Sequence, residues 1–161
     1  MSTMNSRMII FKIAKEEYAI DIHQVQSIER MQEVTAIPNT SPALIGVTNI
    51  RGKVLPLFDL RILLSSSATE NTDQTRIILI DAQDKSMGIV VDEANEVLEI
   101  SSESIQQPSF TVDQQTFVKG VATLENRLVI LIDIENLIGN DHVKQDMEFL
   151  KSFIKDEVAL D

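Results

Sequence analysis

The chain has no cysteine and no tryptophan among its 161 residues. Without cysteine it can form no disulfide and run no thiol chemistry, which suits a reducing cytoplasm. Aromatic residues are scarce, with six Phe and one Tyr, too few for the stacking platforms of single-strand nucleic-acid binders. Positive charge is also short: 14 Lys and Arg stand against 25 Asp and Glu, a net charge of −11. Such a chain repels phosphate backbones and anionic lipid surfaces, which argues against nucleic acid or direct membrane binding. The only two histidines, His23 and His142, lie far apart and outside any zinc-binding pattern. None of the five glycines falls in a phosphate-loop context. No apolar run approaches the roughly 20 residues of a spanning helix, and the opening MSTMNSR lacks the apolar stretch of a signal peptide. The expectation is a cytoplasmic protein without cofactor, metal or catalytic constellation.

What the chain does contain is a duplication. Gly46 to Leu64 (GVTNIRGKVLPLFDLRILL) aligns without a gap with Gly120 to Ile138 (GVATLENRLVILIDIENLI), at an offset of 74. Upstream, the runs at Met8–Ile13 and Tyr18–Ile22 match those at Arg76–Asp81 and Met87–Val91. HQVQSIE from His23 matches DEANEVLEI from Asp92 at an offset of 69. One supersecondary unit is written twice.

The unit reads as β. In YAIDI, Tyr18, Ile20 and Ile22 alternate with Ala19 and Asp21, the period of a half-buried strand. Arg51-Gly52 and Glu125-Asn126 are hairpin turns whose second residues, Gly52 and Asn126, tolerate positive φ. Pro56 cannot donate to a ladder, which predicts an edge or a bulge. Asp59 and Asp133 each precede a short Leu- and Ile-rich stretch and read as N-caps of stubby helices rather than a catalytic pair. The acidic run Asp92, Glu93, Glu96, Glu99 lacks calcium-loop spacing and reads as a solvated face. Ser65 to Thr75 is polar and reads as a linker. Past Gly139, residues Val143, Met147, Leu150, Ile154 and Val158 recur at helical spacing, predicting an amphipathic helix over about 141–158 that packs on its own domain. The fold expected is mainly β: two small five-stranded barrels, at about 8–66 and 76–139, joined by 65–75 and followed by the helix.

Arg51 is the most suggestive single residue. It stands at a hairpin tip in an acidic protein, where a planar guanidinium can anchor an interface.

The string GVTNIRGKVLPLFDLR, preceded by YAIDI and VQSIE and followed by MGIVVDEANEVLEI and LVILIDIENLI, resembles the CheW-like adaptor family of bacterial chemotaxis over residues 8 to 138. The resemblance implies two SH3-like barrels around a shared hydrophobic interface and no enzymatic activity. It implies a scaffold that couples chemoreceptor tips to the regulatory domain of the chemotaxis histidine kinase, in arrays at the inner face of the membrane. Carried over by position, the receptor side is Val25, Ser27, Ile28, Arg51, Val97 and Leu98. The kinase side is Val47, Asn49, Gly52 and Val54. Core packing competes for Val25, Ile28 and Val97, and a structural turn is preferred for Gly46. Ser27 stands where some relatives carry an acid, so a salt bridge at that position is in doubt.

Other readings remain: an adaptor for a surface-motility pathway, the adaptor part of a receiver-containing protein, a small-barrel nucleic-acid module, or a hydrolase with Asp59 and Asp133 in one pocket. The terminal helix favours a free-standing adaptor.

Overall fold

The repeated alternating segments pair as strands in a computed structural model, which describes residues 5–65, 70–82, 85–106 and 117–154. In chain order these are β1 (Asn5–Ile13), β2 (Glu16–Asp21), β3 (Val25–Arg30), β4 (Leu44–Ile50), β5 (Lys53–Asp59), α1 (Leu60–Ser65), β6 (Arg76–Ala82), β7 (Lys85–Val91), β8 (Glu93–Ser101), β9 (Ile105–Gln106), β10 (Val118–Leu124), β11 (Arg127–Ile132), α2 (Ile134–Ile138) and α3 (Asp141–Ile154). They form a six-stranded sheet, β8-β1-β2-β11-β10-β9, and a five-stranded sheet, β3-β6-β7-β5-β4. The chain is mainly β, as its periodicity predicts.

The sheets do not coincide with the sequence halves at 8–66 and 76–139. Hairpin β1–β2 of the first half sits between β8 and β11 of the second. Hairpin β6–β7 of the second half sits between β3 and β5 of the first. Alternation within a strand reports that a face is buried, but not which distant strand supplies the neighbour.

Each sheet curls around its own small core. Met8, Ile10, Ala19, Ile100, Ala122, Val129 and Leu131 fill one, and Ile50, Leu55, Leu57, Ile77, Leu79 and Val90 the other. The opposite strand faces meet in a larger shared core containing Ile9, Phe11, Ile20, Phe58, Ile78, Ile80, Ile89 and Ile132. A strand buried on both faces explains why RIILI and MGIVV are continuous apolar runs. The ladders are not closed by continuous pairing. A short segment after each edge strand covers the far edge instead. Beyond β3, Thr35 exchanges two backbone hydrogen bonds with Val47 of β4 (2.8 and 2.9 Å). Beyond β8, β9 pairs with β10.

Pro56 is not on an edge strand. Val47 opposes it but spends its own N–H and C=O on Thr35, so the position calls for no donor toward β4. The parallel pairing of β5 with β7 begins only at Leu57. The positive φ in the hairpins falls on the first loop residues, Arg51 (56°) and Glu125 (44°), and on Gly52 (84°).

The helix expected over 141–158 begins at Asp141, and its described part ends at Ile154. Val143 and Leu150 are buried in the shared core with Met147 against them. Asp146, also buried, accepts hydrogen bonds from the N–H and hydroxyl of Ser41, 105 residues earlier. The side chain of Ile154, and Val158 altogether, lie outside the described residues. The linker is less free than its polarity suggests. Thr75 is buried and Asn71 Oδ1 accepts from Arg61 Nη2 at 2.9 Å.

Candidate docking surfaces

Three ion-pair groups tie the strands around the two sheets. Asp59 is an N-cap, as expected, with Oδ1 accepting from the N–H of Arg61 (2.9 Å). It is also one arm of a buried pair, because Arg61 Nε and Nη2 donate to its two oxygens at 2.9 Å each. Arg61 Nη1 continues to Asp92 Oδ1 at 3.1 Å, and Asp92 Oδ2 accepts from the N–H of Ala14. Hydrogen bonding to Asp59 raises the Arg61 pKa against the opposing effect of burial, so the guanidinium stays charged. Asp133 caps α2 through the N–H of Asn136 (3.1 Å). The repeat mate of Arg61 is Glu135, so the buried pair exists once.

The second group lies at the mouth of the six-stranded sheet, around an open cavity of about 390 Å³ lined by Ile10, Lys12, Glu17, Glu96 and Arg127. Arg127 donates through Nε and Nη2 to Glu17 (2.9 and 2.7 Å) and through Nη2 to Glu96 (2.8 Å). The hydrogen bond from Arg127 holds the Glu17 carboxyl below its ordinary value, although burial works the other way. Asp92 and Glu96 therefore belong to ion pairs and not to the solvated acidic face expected for them. Among the described residues no group of three or more His, Cys, Asp or Glu is placed to hold a metal, and no helix is long and apolar enough to cross a membrane.

The third group is Arg51. Its side chain is 75% exposed and its Nη2 lies 3.0 Å from Oε2 of Glu29, whose side chain is only 14% exposed. That oxygen is buried and has no aligned hydrogen bond. Glu29 lies on the same alternating face of β3 as Ser27. Sequence reasoning missed Glu29, although period-two spacing from Ser27 was the available signal.

The remaining expected residues distribute as follows. Only three large apolar side chains among the described residues are exposed: Ile28 (37%), Val97 (48%) and Leu128 (65%). Ile28 and Val97 are repeat mates on the edge strands β3 and β8. Each opposes a residue of the shared core, Ile78 and Ile9 respectively. Strand β8 also lies against β6, the ladder neighbour of β3, so both edges border one seam. Val25 is half-buried against the shared core, and Ser27 is half-buried. Leu98 points to the other face of β8 and packs on the core of the six-stranded sheet, because adjacent strand residues cannot share a face. Asn49 is exposed opposite half-buried Val54, and its Oδ1 accepts from the N–H of Gly52 (2.9 Å). Val47 is half-buried, and its bonds to Thr35 close that part of the β4 edge to strand addition. Gly46 has the structural role preferred for it. A Cβ there would lie 2.2 Å from the Thr35 carbonyl oxygen, at a φ of +146°.

Two curled sheets sharing a core, with an ion-pinned hairpin tip and exposed apolar side chains at the seam, define a mainly β domain of the double-barrel class. A profile described as "CheW-like domain" matches residues 7–142, and the chain belongs to that family. It is 39% identical over 137 residues to the chemotaxis protein CheW of Bacillus subtilis, covering 84% of this chain and 88% of that protein. It is 36% identical over 143 residues to the chemotaxis protein CheW of Klebsiella aerogenes, covering 88% and 86%. The crystal structure of the scaffolding protein TtCheW from Thermoanaerobacter tengcongensis superposes with a TM-score of 0.73 at 30% identity, covering 80% of this chain and 89% of that one. The family is one of adaptors and scaffolds in chemotaxis, not of enzymes.

Proposed function

We propose that this protein couples the cytoplasmic tips of chemoreceptors to the regulatory domain of a chemotaxis histidine kinase. It works in the cytoplasm, held at receptor arrays through its partners. The observation that carries the reading is the pair Ile28 and Val97. Two of the three exposed large apolar side chains among the described residues occupy repeat-related positions on the edge strands beside the seam. An apolar seam suits a helical hairpin laid along it, its side chains giving area, while Arg51 offers a separate charged contact at the β4–β5 tip.

The kinase side is the outer face of the β4–β5 hairpin, Asn49, Gly52 and Val54 with Val47 beside them. The edge closed by Thr35 favours side-chain docking there over strand addition. Leu128 occupies in β11 the place Val54 holds in β5, which offers a matched apolar contact on the second sheet. The adaptor supplies contact free energy and geometry, so that a shift in the receptor tip biases the kinase.

The test is co-sedimentation or pull-down with a receptor signalling-tip fragment and, separately, with the kinase regulatory domain. Ile28→Ser with Val97→Ser is expected to weaken the receptor arm at least tenfold and leave the kinase arm intact. Unchanged receptor binding in that double variant removes the seam from the reading.

A further inference from the structure

The two sheets are related by more than similar strands. By repeat position β1 matches β6, β2 matches β7, β3 matches β8, β4 matches β10 and β5 matches β11. Written in those equivalents, β3-β6-β7-β5-β4 and β8-β1-β2-β11-β10 are the same ladder. In each, the central hairpin comes from the opposite half, and the parallel pair β5–β7 is repeated as β11–β2. We infer that each half of this chain is the other's binding partner: the protein is a covalently joined pair of hairpin-exchanging repeats whose assembly does not need the connection between them.

Neither half holds a complete sheet. Without the second half, β3 loses its ladder neighbour β6 and β5 loses β7. Without the first, β8 loses β1 and β11 loses β2. Both barrel cores are mixed. Met8, Ile10 and Ala19 pack with Ile100, Ala122, Val129 and Leu131, while Ile50, Leu55 and Leu57 pack with Ile77, Leu79 and Val90. The polar ties also cross: Arg61 to Asp92, Glu17 to Arg127, and Ser41 to Asp146. The backbone itself passes between the halves once, through 65–75. The binding site of each half is thus a two-strand gap, between β3 and β5 or between β8 and β11, and its ligand is a β-hairpin of the repeat. Backbone pairing on both sides of the hairpin supplies affinity, and the mixed cores supply register. The covalent joint within 66–69 adds only effective concentration, because Asn71 stays with the second half and its bond to Arg61 is one more crossing tie.

The experiment places a protease site within residues 66–69 of the full chain and cuts it after folding. The cut protein is expected to elute as one species at the size of the uncut chain, with unchanged far-ultraviolet circular dichroism. After urea unfolding and dilution it is expected to recover that state, with a midpoint that rises with protein concentration as association requires. Separation of the pieces under native conditions overturns the inference. So does failure of the cut chain to refold where the uncut insertion variant refolds. Co-expression of 1–69 with 70–161, neither carrying an insertion, guards against a defect of the inserted site. A tag on one piece is expected to retain the other, and its failure to do so also overturns the inference.

Discussion

Arg51 and Glu29 meet at 3.0 Å although they come from opposite edges of the five-stranded ladder, Arg51 from the β4–β5 tip and Glu29 from β3. The contact is possible only because the sheet curls through most of a barrel. It holds an exposed guanidinium over the face of β3 that carries Ser27 and Glu29, opposite the face of Ile28. Arg51→Glu is expected to abolish recruitment of kinase to receptor while circular dichroism still shows a folded protein, although the variant loses stability because a second carboxylate then faces the buried Oε2 of Glu29. The charge-swapped pair Arg51→Glu with Glu29→Arg is expected to restore the internal contact but not recruitment. Restored pull-down in the swap would mean that Arg51 serves only the hairpin.

Arg61 neutralises one of two carboxylates in a nearly dry site, its side chain and that of Asp59 each 3% exposed. Removing the cation leaves Asp59 buried and unpaired. Arg61→Met is expected to cost about 3–5 kcal/mol, the range for breaking a buried pair by deleting one partner. Adding Asp59→Asn should recover part of that loss, which urea unfolding of the two variants would measure. Additive losses would show the two side chains to be energetically independent.

Glu17 links stability to pH. Its carboxyl titrates below the ordinary 4.5 because Arg127 hydrogen-bonds its charged form. A depressed folded pKa gives a contribution that is complete above the unfolded value and disappears as pH falls through the folded one. Wild-type stability is therefore expected to drop as pH falls below about 4.5, by more than in Arg127→Gln. At neutral pH that variant should lose about 1 kcal/mol, a small figure because the pair is partly solvated. Chemical denaturation at neutral and acid pH gives both numbers, and parallel pH profiles would refute the linkage.

Gly46 and Gly52 differ in what surrounds them. Gly46→Ala drives a Cβ into the Thr35 backbone and is expected to cost more than about 3 kcal/mol, beyond the ordinary range for a point change, by opening the Thr35–Val47 bridge. Gly52→Ala meets no atom within 4 Å and carries only the strain of a φ of +84°, about 1 kcal/mol. Thermal melts of both variants distinguish a blocked approach from a conformational preference.

The duplication, the hairpins and the capped helices were legible because each is local: alternation, turn residues and a capping Asp all act within a few positions. The exchange was not. Ile9 pairs with Val97 and Met8 with Leu98, and no residue near Ile9 encodes so distant a neighbour. The same gap explains Asp92 and Glu96. Their cations Arg61 and Arg127 are each 31 residues away on other elements, so the local string showed only unpaired acids. Ile28, Val97 and Arg51 could be nominated from the family motif; alternation from Ser27 marked Glu29's face, but its pairing with Arg51 emerged only once the sheet's curvature brought β3 to the hairpin tip. Leu98 was misdirected by adjacency, since naming two consecutive strand residues for one surface ignores the pleat.

The parallel pairing of β2 with β11 sets an order of events during synthesis. The first hairpin leaves the ribosome long before Val129–Leu131, the residues it must lie beside, have been translated. Until then the β2 edge has no ladder partner even though β8 is already available to β1, so the six-stranded sheet closes last, after most of the chain has been made.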